Sequence, residues 1–168
     1  MDSPFSHIDG NGKLRMVDVS NKRRTLRKAW ARCQVVTDVK LASLERRHDG
    51  LDVVHVARVA GVLAAKRTAE IIPLCHTLHL SDVNVELTEG DGVVEVSSSV
   101  VATESTGVEM EALTACAFAA LSILDALTAL DPEARMDDLV LLRKEGGKSG
   151  SWGRLVEAPT KRRRRRSS

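Results

Sequence analysis

The sequence predicts an α+β domain in which an antiparallel sheet carries helices on one of its faces. Two long apolar segments show helical spacing, and two alternating segments joined by a glycine-rich turn show the period of strands. Further strand-like segments precede the first long helix and follow the second. The resulting order is strand, short helix, long helix, hairpin, long helix and strand, which matches the split β-α-β-β-α-β pattern.

The chain before the first long helix is polar and rich in basic residues. Residues 1–12 include a turn sequence with two glycines and are predicted to form a flexible arm. Residues 21–28 carry five basic side chains, which is typical of a solvated face, although such a cluster could also meet phosphates. A strand is predicted over residues 29–36. Asp38 is then predicted to cap a short helix that reaches Arg47.

The first long helix is predicted from Asp52 to Ile72, with Pro73 ending it. Its small residues, including Gly61, would allow another element to approach closely. Lys66 lies near the C-terminal end, where the helix dipole favours a cation, so its position alone requires no functional role. The predicted stripe on one side of this helix consists of Val53, Val56, Ala57, Ala60, Leu63, Ala64 and Arg67.

The loop after this helix contains Cys75, His76 and His79, in a position where functional residues often lie. A metal site is disfavoured, because there is no pair of cysteines and no carboxylate at a suitable spacing. A nucleophilic Cys75 assisted by a histidine is an alternative, although neighbours in sequence need not face each other.

A hairpin and one more strand complete the predicted sheet. Alternation of valine and leucine with polar residues predicts a half-buried strand over residues 80–88. A turn at residues 89–92 leads into a second strand over residues 93–102. The last strand is predicted over residues 137–142.

A glycine-rich segment containing Gly147, Lys148 and Ser149 follows the last strand. It resembles half of a phosphate loop, but a complete loop needs glycine at the position of Leu142, so that motif is absent. With Lys144 and Lys148 beside its glycines, the segment could still bind an anion through backbone N–H groups.

The second long helix is predicted from Thr106 to Leu130, and Asp131-Pro132 ends it. Thr106 stands three residues before Glu109, which is the spacing of a capping box. The predicted apolar face consists of Leu113, Cys116, Ala117, Ala120, Leu121, Leu124 and Leu127.

Three carboxylates on this helix are candidates for function. Glu109 and Glu111 lie in the first turn, where capping and the helix dipole already account for them. Asp125 lies alone within an apolar run, so it either faces solvent or is paired. Fourteen helical residues would separate Glu111 from Asp125 by about 21 Å, so the two cannot serve one small-molecule site within one subunit.

The cysteines and the lengths of the apolar runs indicate the cellular compartment of the protein. Cys33, Cys75 and Cys116 are odd in number and scattered, which argues against a disulfide framework and favours a reducing cytoplasm. No apolar run reaches the length of about 18 residues expected of a membrane-spanning helix. A cytoplasmic protein that does not enter the membrane is therefore predicted.

The charge distribution argues against a nucleic-acid-binding domain. Six of the 25 basic residues lie in Lys161–Arg166, which leaves 19 basic against 23 acidic residues and a body near −4. With no tyrosine, two phenylalanines and two tryptophans, stacking platforms for bases are scarce. Residues 154–168 are predicted to form a disordered basic tail, although such a tail could touch an anionic partner.

Six segments together resemble one family. They are MVDVS at 16–20, ARVAG at 57–61, AAKRT at 64–68, IPLCH at 72–76, TGVEMEALT at 106–114 and EGGKSG at 145–150. This combination resembles the molybdenum cofactor biosynthesis protein C (MoaC) family, cyclic pyranopterin monophosphate synthase, within a predicted domain at 13–153. The resemblance implies a ferredoxin-like subunit and a hexamer built as a trimer of dimers, with active sites between subunits.

The resemblance also implies a lyase-type enzyme that converts 3′,8-cyclo-7,8-dihydro-GTP to cyclic pyranopterin monophosphate and releases pyrophosphate. Asp125 would be a general acid or base, and Lys66 and Lys144 would serve phosphate binding or proton transfer. The implied substrate-binding side chains are Cys75, His76, Glu109, Met110, Glu111 and Lys148. No protein-bound metal or resident cofactor is implied, with Mg²⁺ left open as a companion of the substrate phosphates.

The chain departs from the family at three cationic positions. Gly50 and Thr128 stand where the family usually has lysine, and Ser105 stands where it usually has lysine or arginine. Two interpretations follow. In the first, the chain is an active synthase in which Lys148 or the cluster at 21–28 compensates. In the second, it is a diverged paralogue with lost or altered activity, which serves as a binding or regulatory subunit or takes a related cyclic nucleotide as its substrate.

Overall fold

The computed structural model describes residues 7–45, 52–148 and 150–155 of the chain. Within these residues the strands are Thr25–Val36 (β1), Leu80–Glu89 (β2), Val93–Glu104 (β3), Arg135–Glu145 (β4) and Trp152–Gly153 (β5). The helices are Leu41–Glu45 (α1), Val53–Lys66 (α2), Thr68–Ile71 (α3) and Glu109–Leu127 (α4). The strands form one antiparallel sheet in the order β2-β3-β1-β4-β5, with α2 and α4 packed on it. The predicted α+β class and ferredoxin-like arrangement are therefore confirmed.

Strand β1 lies at the centre of this sheet and supplies much of the core. It pairs with β3 on one side and with β4 on the other. Its side chains alternate, so that Ala29, Ala31, Cys33 and Val35 are fully buried while the residues between them are half-buried on the opposite face. Because the buried side chains are small, α4 packs closely across β1 and β3.

Helices α2 and α4 approach each other through small residues. A Cβ atom added at Gly61 of α2 would lie 2.7 Å from the carbonyl oxygen of Ala115 in α4 and 3.2 Å from the Cβ of Ala119. It would also lie 3.1 Å from a methyl group of Val85 in β2. The close approach that the sequence predicts at Gly61 is therefore confirmed, and it involves backbone that has little room to move.

We expect Gly61→Val to lower the free energy of unfolding by about 1–3 kcal/mol, because the added side chain must push α2 away from α4. Thermal unfolding would measure this loss. Gly10→Val is the matched control, since nothing lies within 4 Å of a Cβ at that position. An unchanged melting temperature for Gly61→Val would show that the two helices separate without cost.

The first long helix is broken, which corrects the continuous helix predicted from Asp52 to Ile72. Asp52 is the N-cap, and α2 ends at Lys66, one residue before a break at Arg67. The buried hydroxyl of Thr68 donates to the carbonyl oxygens of Ala64 and Ala65, at 3.3 and 3.0 Å. This side chain satisfies carbonyl groups that a continuing helix would have used. The chain resumes as α3 before Pro73.

The predicted stripe on α2 is also partly wrong. Val56 and Leu63 are exposed, and Gly61 and Ala65 are buried in their place. The helix turns its small residues toward α4 because only they permit the close contact.

The second long helix is shorter than predicted. Helix α4 begins at Glu109 and ends at Leu127, and its N-cap, Val108, makes no side-chain capping hydrogen bond. The predicted capping box of Thr106 with Glu109 is therefore wrong. The predicted apolar face is partly wrong as well, since Leu121 is exposed. The fully buried residues of α4 are Ala112, Ala115, Cys116, Ala119, Ala120, Ile123 and Leu127.

By length and composition alone, α4 could cross a membrane. Half of its most apolar window is buried inside the fold, where it packs on α2 and on the central strands. The core helix of a soluble protein meets the same criteria, so this feature does not overturn the prediction from the sequence.

Other boundaries differ in detail. The helix predicted from Asp38 begins at Leu41, whose N–H donates to the carboxylate of Glu89 at 2.7 Å, and its continuation toward Arg47 lies outside the described residues. Strand β4 is longer than predicted, and β5 was missed because it has only two residues. The proposed arm at 1–12 and tail at 154–168 are described only in part, so both stay predictions.

Candidate active site

A shallow recess opens where the start of β1, the N-terminus of α4 and the end of β4 meet. It is lined by Arg27, Lys28, Gly107, Val108, Glu109, Lys144, Glu145 and Gly146. Because side chains alternate along a strand, Arg27 and Lys144 share the helix-bearing face of the sheet with Glu109, whereas Lys28 and its partner Glu145 follow the other parity. The helix-bearing side of this surface, which we call the α4 recess, therefore carries two cations and one carboxylate. A recess of this charge suits an anionic ligand.

Lys144 and Glu109 form an ion pair inside the α4 recess. The Lys144 ammonium group donates to the Glu109 carboxylate at 3.0 Å, and each side chain is about one third exposed. Glu109 is the first residue of α4, and Lys144 is fixed by the pairing of β4 with Ala29 of β1. The pair places a proton donor and an acceptor side by side at a helix N-terminus, where groups for acid–base chemistry or anion binding are useful.

Arg27 adds a charge that no described carboxylate neutralises. Its terminal nitrogen donates to the carbonyl oxygen of Ser105 at 3.4 Å, while its Nε is buried without a hydrogen-bond partner among the described residues. Gly147 has a φ of 77°, and any side chain there would overlap the Arg27 guanidinium. The glycine-rich segment therefore makes room for Arg27, a role that the sequence did not reveal.

From the sequence, Arg27 is predicted only as one member of the basic cluster at 21–28. The alternation of side chains along β1 gives a more specific indication of its position. Arg27 has the same parity along β1 as Ala29 and Ala31, which face the helices. Extending the alternation backward by one step would have placed this arginine on the helical side, beside the start of α4.

Glu111 is the buried carboxylate of the site. Only 4% of its surface is exposed. Burial, with a further contribution from the charge of Glu109, raises the pKa of Glu111 to about 7. A carboxyl group with such a pKa can hold or release a proton near neutral pH, which suits general acid–base chemistry.

Cys75 lies close enough to Glu111 for the carboxylate charge to affect the pKa of its thiol. Burial first, and then the carboxylate of Glu111, raise the pKa of the Cys75 thiol. A raised pKa keeps the thiol protonated and reduces its nucleophilicity. The position therefore fits a substrate-contacting role better than the nucleophile considered as an alternative.

No side-chain hydrogen bond or ion pair among the described residues joins the remaining predicted site residues to these groups. His76 is half-buried, Met110 is exposed, and Lys66, Asp125 and Lys148 are exposed and make no ion pair with a described residue. Helix α4 is unbroken between Glu111 and Asp125, so about 21 Å separates them, as the spacing predicted. No group of three His, Cys, Asp or Glu side chains within the described ranges could hold a metal ion.

Both tryptophans flank the strand segment that carries Lys144. Trp30 in β1 pairs with Arg143, whose guanidinium carbon lies 5.2 Å from the centre of the indole ring. Trp152 in β5 pairs directly with Lys144, and its ring lies 6.0 Å from the guanidinium carbon of Arg154. The backbone of Lys144 is thus held from both sides of β4.

Comparison with known proteins identifies similar chains. The MoaC family matches residues 16–147. A protein of Chloroflexus aggregans named cyclic pyranopterin monophosphate synthase is 48% identical over 160 residues, covering 92% of this chain and 96% of that relative. A protein of Mycobacterium tuberculosis named cyclic pyranopterin monophosphate synthase 2 is 44% identical over 156 residues, covering 89% and 91%. A protein of Thermomicrobium roseum with the former name is 47% identical over 154 residues, covering 89% and 93%.

Proposed function

The chain belongs to the MoaC family, and we propose that it is a cyclic pyranopterin monophosphate synthase acting in molybdenum cofactor biosynthesis. It converts 3′,8-cyclo-7,8-dihydro-GTP to cyclic pyranopterin monophosphate with release of pyrophosphate. The observation that carries the proposal is the identity of 44–48% to synthases along nearly the whole chain.

The chemistry of the α4 recess supports this reaction. A triphosphate substrate needs cations, and the departure of pyrophosphate needs its developing charge to be neutralised. Arg27 and Lys144 supply two cations on the helix-bearing face of the sheet. Lys144 meets phosphate or proton-transfer demands, while Glu109 and Glu111 bind the guanine-derived edge or orient other groups.

The remaining residues of the family motifs have roles in substrate binding and in catalysis. Cys75, His76, Met110 and Lys148 contact or orient substrate, and Lys66 acts with Lys144 on phosphate or proton transfer. These residues need no resident cofactor, and Mg²⁺ enters only with the substrate phosphates. Asp125 acts as a general acid or base, although it lies far from the α4 recess of its own chain.

A hexamer built as a trimer of dimers would bring Asp125 to the recess of another subunit. Its support is an exposed apolar surface on the outer side of α2 and α4. This surface consists of Val56, Val59, Leu63, Phe118 and Leu121, each between 37% and 49% exposed. Light scattering on the purified protein would give the number of subunits. A cytoplasmic location is part of the proposal, supported by three free thiols.

The deciding experiment incubates the purified protein with 3′,8-cyclo-7,8-dihydro-GTP and quantifies the pyranopterin product and pyrophosphate. Formation of both in equal amounts is the expected result. Absence of both from a correctly assembled protein would contradict the proposal. The second interpretation, a diverged paralogue with lost or altered activity, gains no support from the comparisons.

The family usually has lysine at the position of Thr128, three residues after Asp125. Restoring this lysine tests whether the site already has all the cations that catalysis needs. Thr128 is exposed at the end of α4, where its hydroxyl donates to the Leu124 carbonyl oxygen at 3.1 Å, so a longer side chain fits there. We expect Thr128→Lys to raise kcat at least about tenfold, because it returns a cation beside a general acid or base. Ala129→Lys adds the same charge one residue away and is expected to leave kcat unchanged.

Restoring lysine at Gly50, which lies outside the described residues, extends the same measurement. If Thr128→Lys combined with Gly50→Lys leaves kcat at the wild-type value, cations elsewhere already replace both lysines. That outcome would direct attention to Lys148 and to the cluster at 21–28.

A further inference from the structure

Glu104 is a nearly buried carboxylate that no assigned role explains. It is the last residue of β3, and 7% of its surface is exposed. One of its oxygens, Oε1, accepts hydrogen bonds from the Arg24 guanidinium at 2.8 Å and from the backbone N–H of His79 at 3.2 Å. The same oxygen lies 3.5 Å from Nδ1 of His79. A buried carboxylate is costly unless its partners compensate for lost hydration.

These partners are far apart in sequence and come from two different segments. Arg24 immediately precedes β1 and also donates to the carbonyl oxygen of Thr103, at 3.2 Å. The side chains of Arg24 and His79 are mostly exposed, so the carboxylate lies beneath both of them. Burial works against the charged form of Glu104, but the hydrogen bonds from His79 and Arg24 outweigh it and lower the pKa of the carboxyl group.

The position of Glu104 explains why a side chain is needed there. The ladder between β2 and β3 stops at the pair of Leu80 and Ala102, with a register shift between Leu80 and Asp82. The N–H of His79 falls just beyond this ladder and would lack a strand partner. The Glu104 carboxylate accepts this hydrogen bond and so extends the contact between β3 and the loop at 73–79 by a side chain.

Three segments of the proposed active site therefore meet at one carboxylate. The loop at 73–79 carries Cys75 and His76, the start of β1 carries Arg27, and the connection that follows Glu104 leads to Glu109 of α4. Movement of the loop relative to β1 would change the distance between His76 and the cations of the α4 recess.

We infer that Glu104 is a positioning residue that fixes the loop at 73–79 against the start of β1 and so aligns His76 with the α4 recess. The inference rests on the proposed function only for its effect on catalysis. The effect on the loop itself is independent of the reaction.

The first measurement is backbone amide hydrogen exchange in the full-length protein. Glu104→Ala is expected to speed exchange in the loop at 73–79, with little change in the core of α4. Glu104→Gln keeps an oxygen acceptor and is expected to restore most of the protection. Arg24→Met leaves Glu104 in place and keeps the test available if Glu104→Ala fails to fold. It is expected to give a smaller change at the same loop.

The matched control is Glu95→Gln. Glu95 lies at the opposite end of β3 and pairs with an arginine of β1, Arg32, at 3.6 Å. It is therefore a carboxylate on the same strand with the same kind of partner, but distant from the loop. Exchange at 73–79 is expected to match that of the wild type in this variant.

The second measurement is kcat/KM with 3′,8-cyclo-7,8-dihydro-GTP. Glu104→Ala is expected to lower kcat/KM about 10- to 100-fold, as a misplacement near 1 Å would. In a His76→Asn background the same change is expected to cost much less, because the residue that Glu104 positions is already absent.

Unchanged exchange at 73–79 in Glu104→Ala and Arg24→Met would overturn the inference, whatever the activity. A full loss of kcat/KM that persists in the His76→Asn background would overturn the alignment of His76. Lack of turnover by the wild-type protein would instead overturn the proposed function, while the exchange measurement would still decide whether Glu104 holds the loop.

Discussion

Replacing Lys144 with methionine is expected to lower kcat about 100- to 1000-fold, the range seen when a group that stabilises a developing charge is removed. Lys144 supplies one of two cations in the α4 recess and is the partner of Glu109 at 3.0 Å. Its removal leaves the Glu109 carboxylate without a counter-charge at the place where phosphate would bind. Steady-state kinetics with the cyclic dihydro-GTP would measure the loss.

The fold should survive this change, because an ion pair that is partly open to solvent contributes little to stability. Lys40→Met is the matched control, since the Lys40 ammonium lies 3.3 Å from the Glu89 carboxylate near the hairpin, at the other end of the sheet. Its kcat is expected to equal that of the wild type. An equal loss in both variants, or no loss in Lys144→Met, would remove Lys144 from the catalytic groups.

Glu111→Gln is expected to make the protein more stable at pH 8.5, by up to about 3 kcal/mol. The pKa of Glu111 is about 7 in the folded protein, against an ordinary value of 4.5. Because the folded-state pKa is raised, the stability that protonation provides is fully present below pH 4.5 and is lost as the pH rises through 7. The wild type must therefore bury a charge at pH 8.5, and glutamine avoids this cost.

Denaturant unfolding at pH 4.5 and pH 8.5 would measure the difference. The two proteins should have similar free energies of unfolding at the lower pH, where both side chains are neutral, and should diverge at the higher. Glu133→Gln, at an exposed position, is expected to leave the free energy unchanged at both values. Equal stability of Glu111→Gln and wild type at pH 8.5 would contradict the prediction. It would mean that neighbouring groups compensate for the cost of burying the charged Glu111 carboxylate.

Strands and topology could be predicted because alternation is strong where one face of a sheet is buried. The hairpin of β2 and β3 follows directly from that period, whereas the central strand was predicted from weaker alternation. The limits of the helices and part of their buried faces were predicted wrongly. Side-chain hydrogen bonds and the packing of small residues determine these features, and hydrophobic spacing does not reveal them. The Thr68 hydroxyl donates hydrogen bonds to carbonyl oxygens at the end of α2, where the helix ends. In α4, alanines rather than larger residues such as Leu121 face the core.

The site could be predicted only as a set of residues, through the resemblance of its motifs. Its internal contacts depend on strand register, which composition does not encode. Lys144 reaches Glu109 across 35 residues, and Arg24 reaches Glu104 across 80. Glu104 carried no signal in the sequence, because a single glutamate at the end of a strand is ordinary for an exposed position.

The two tryptophans have a practical consequence. The protein has no tyrosine, so its near-ultraviolet fluorescence arises almost entirely from Trp30 and Trp152, which lie on the strands either side of the Arg143–Lys144 segment. Indole emission responds to nearby charge and hydration, and both rings lie within about 6 Å of a guanidinium group. The unmodified protein thus carries its own optical reporter of events at the end of β4, and ligand titrations need no attached dye.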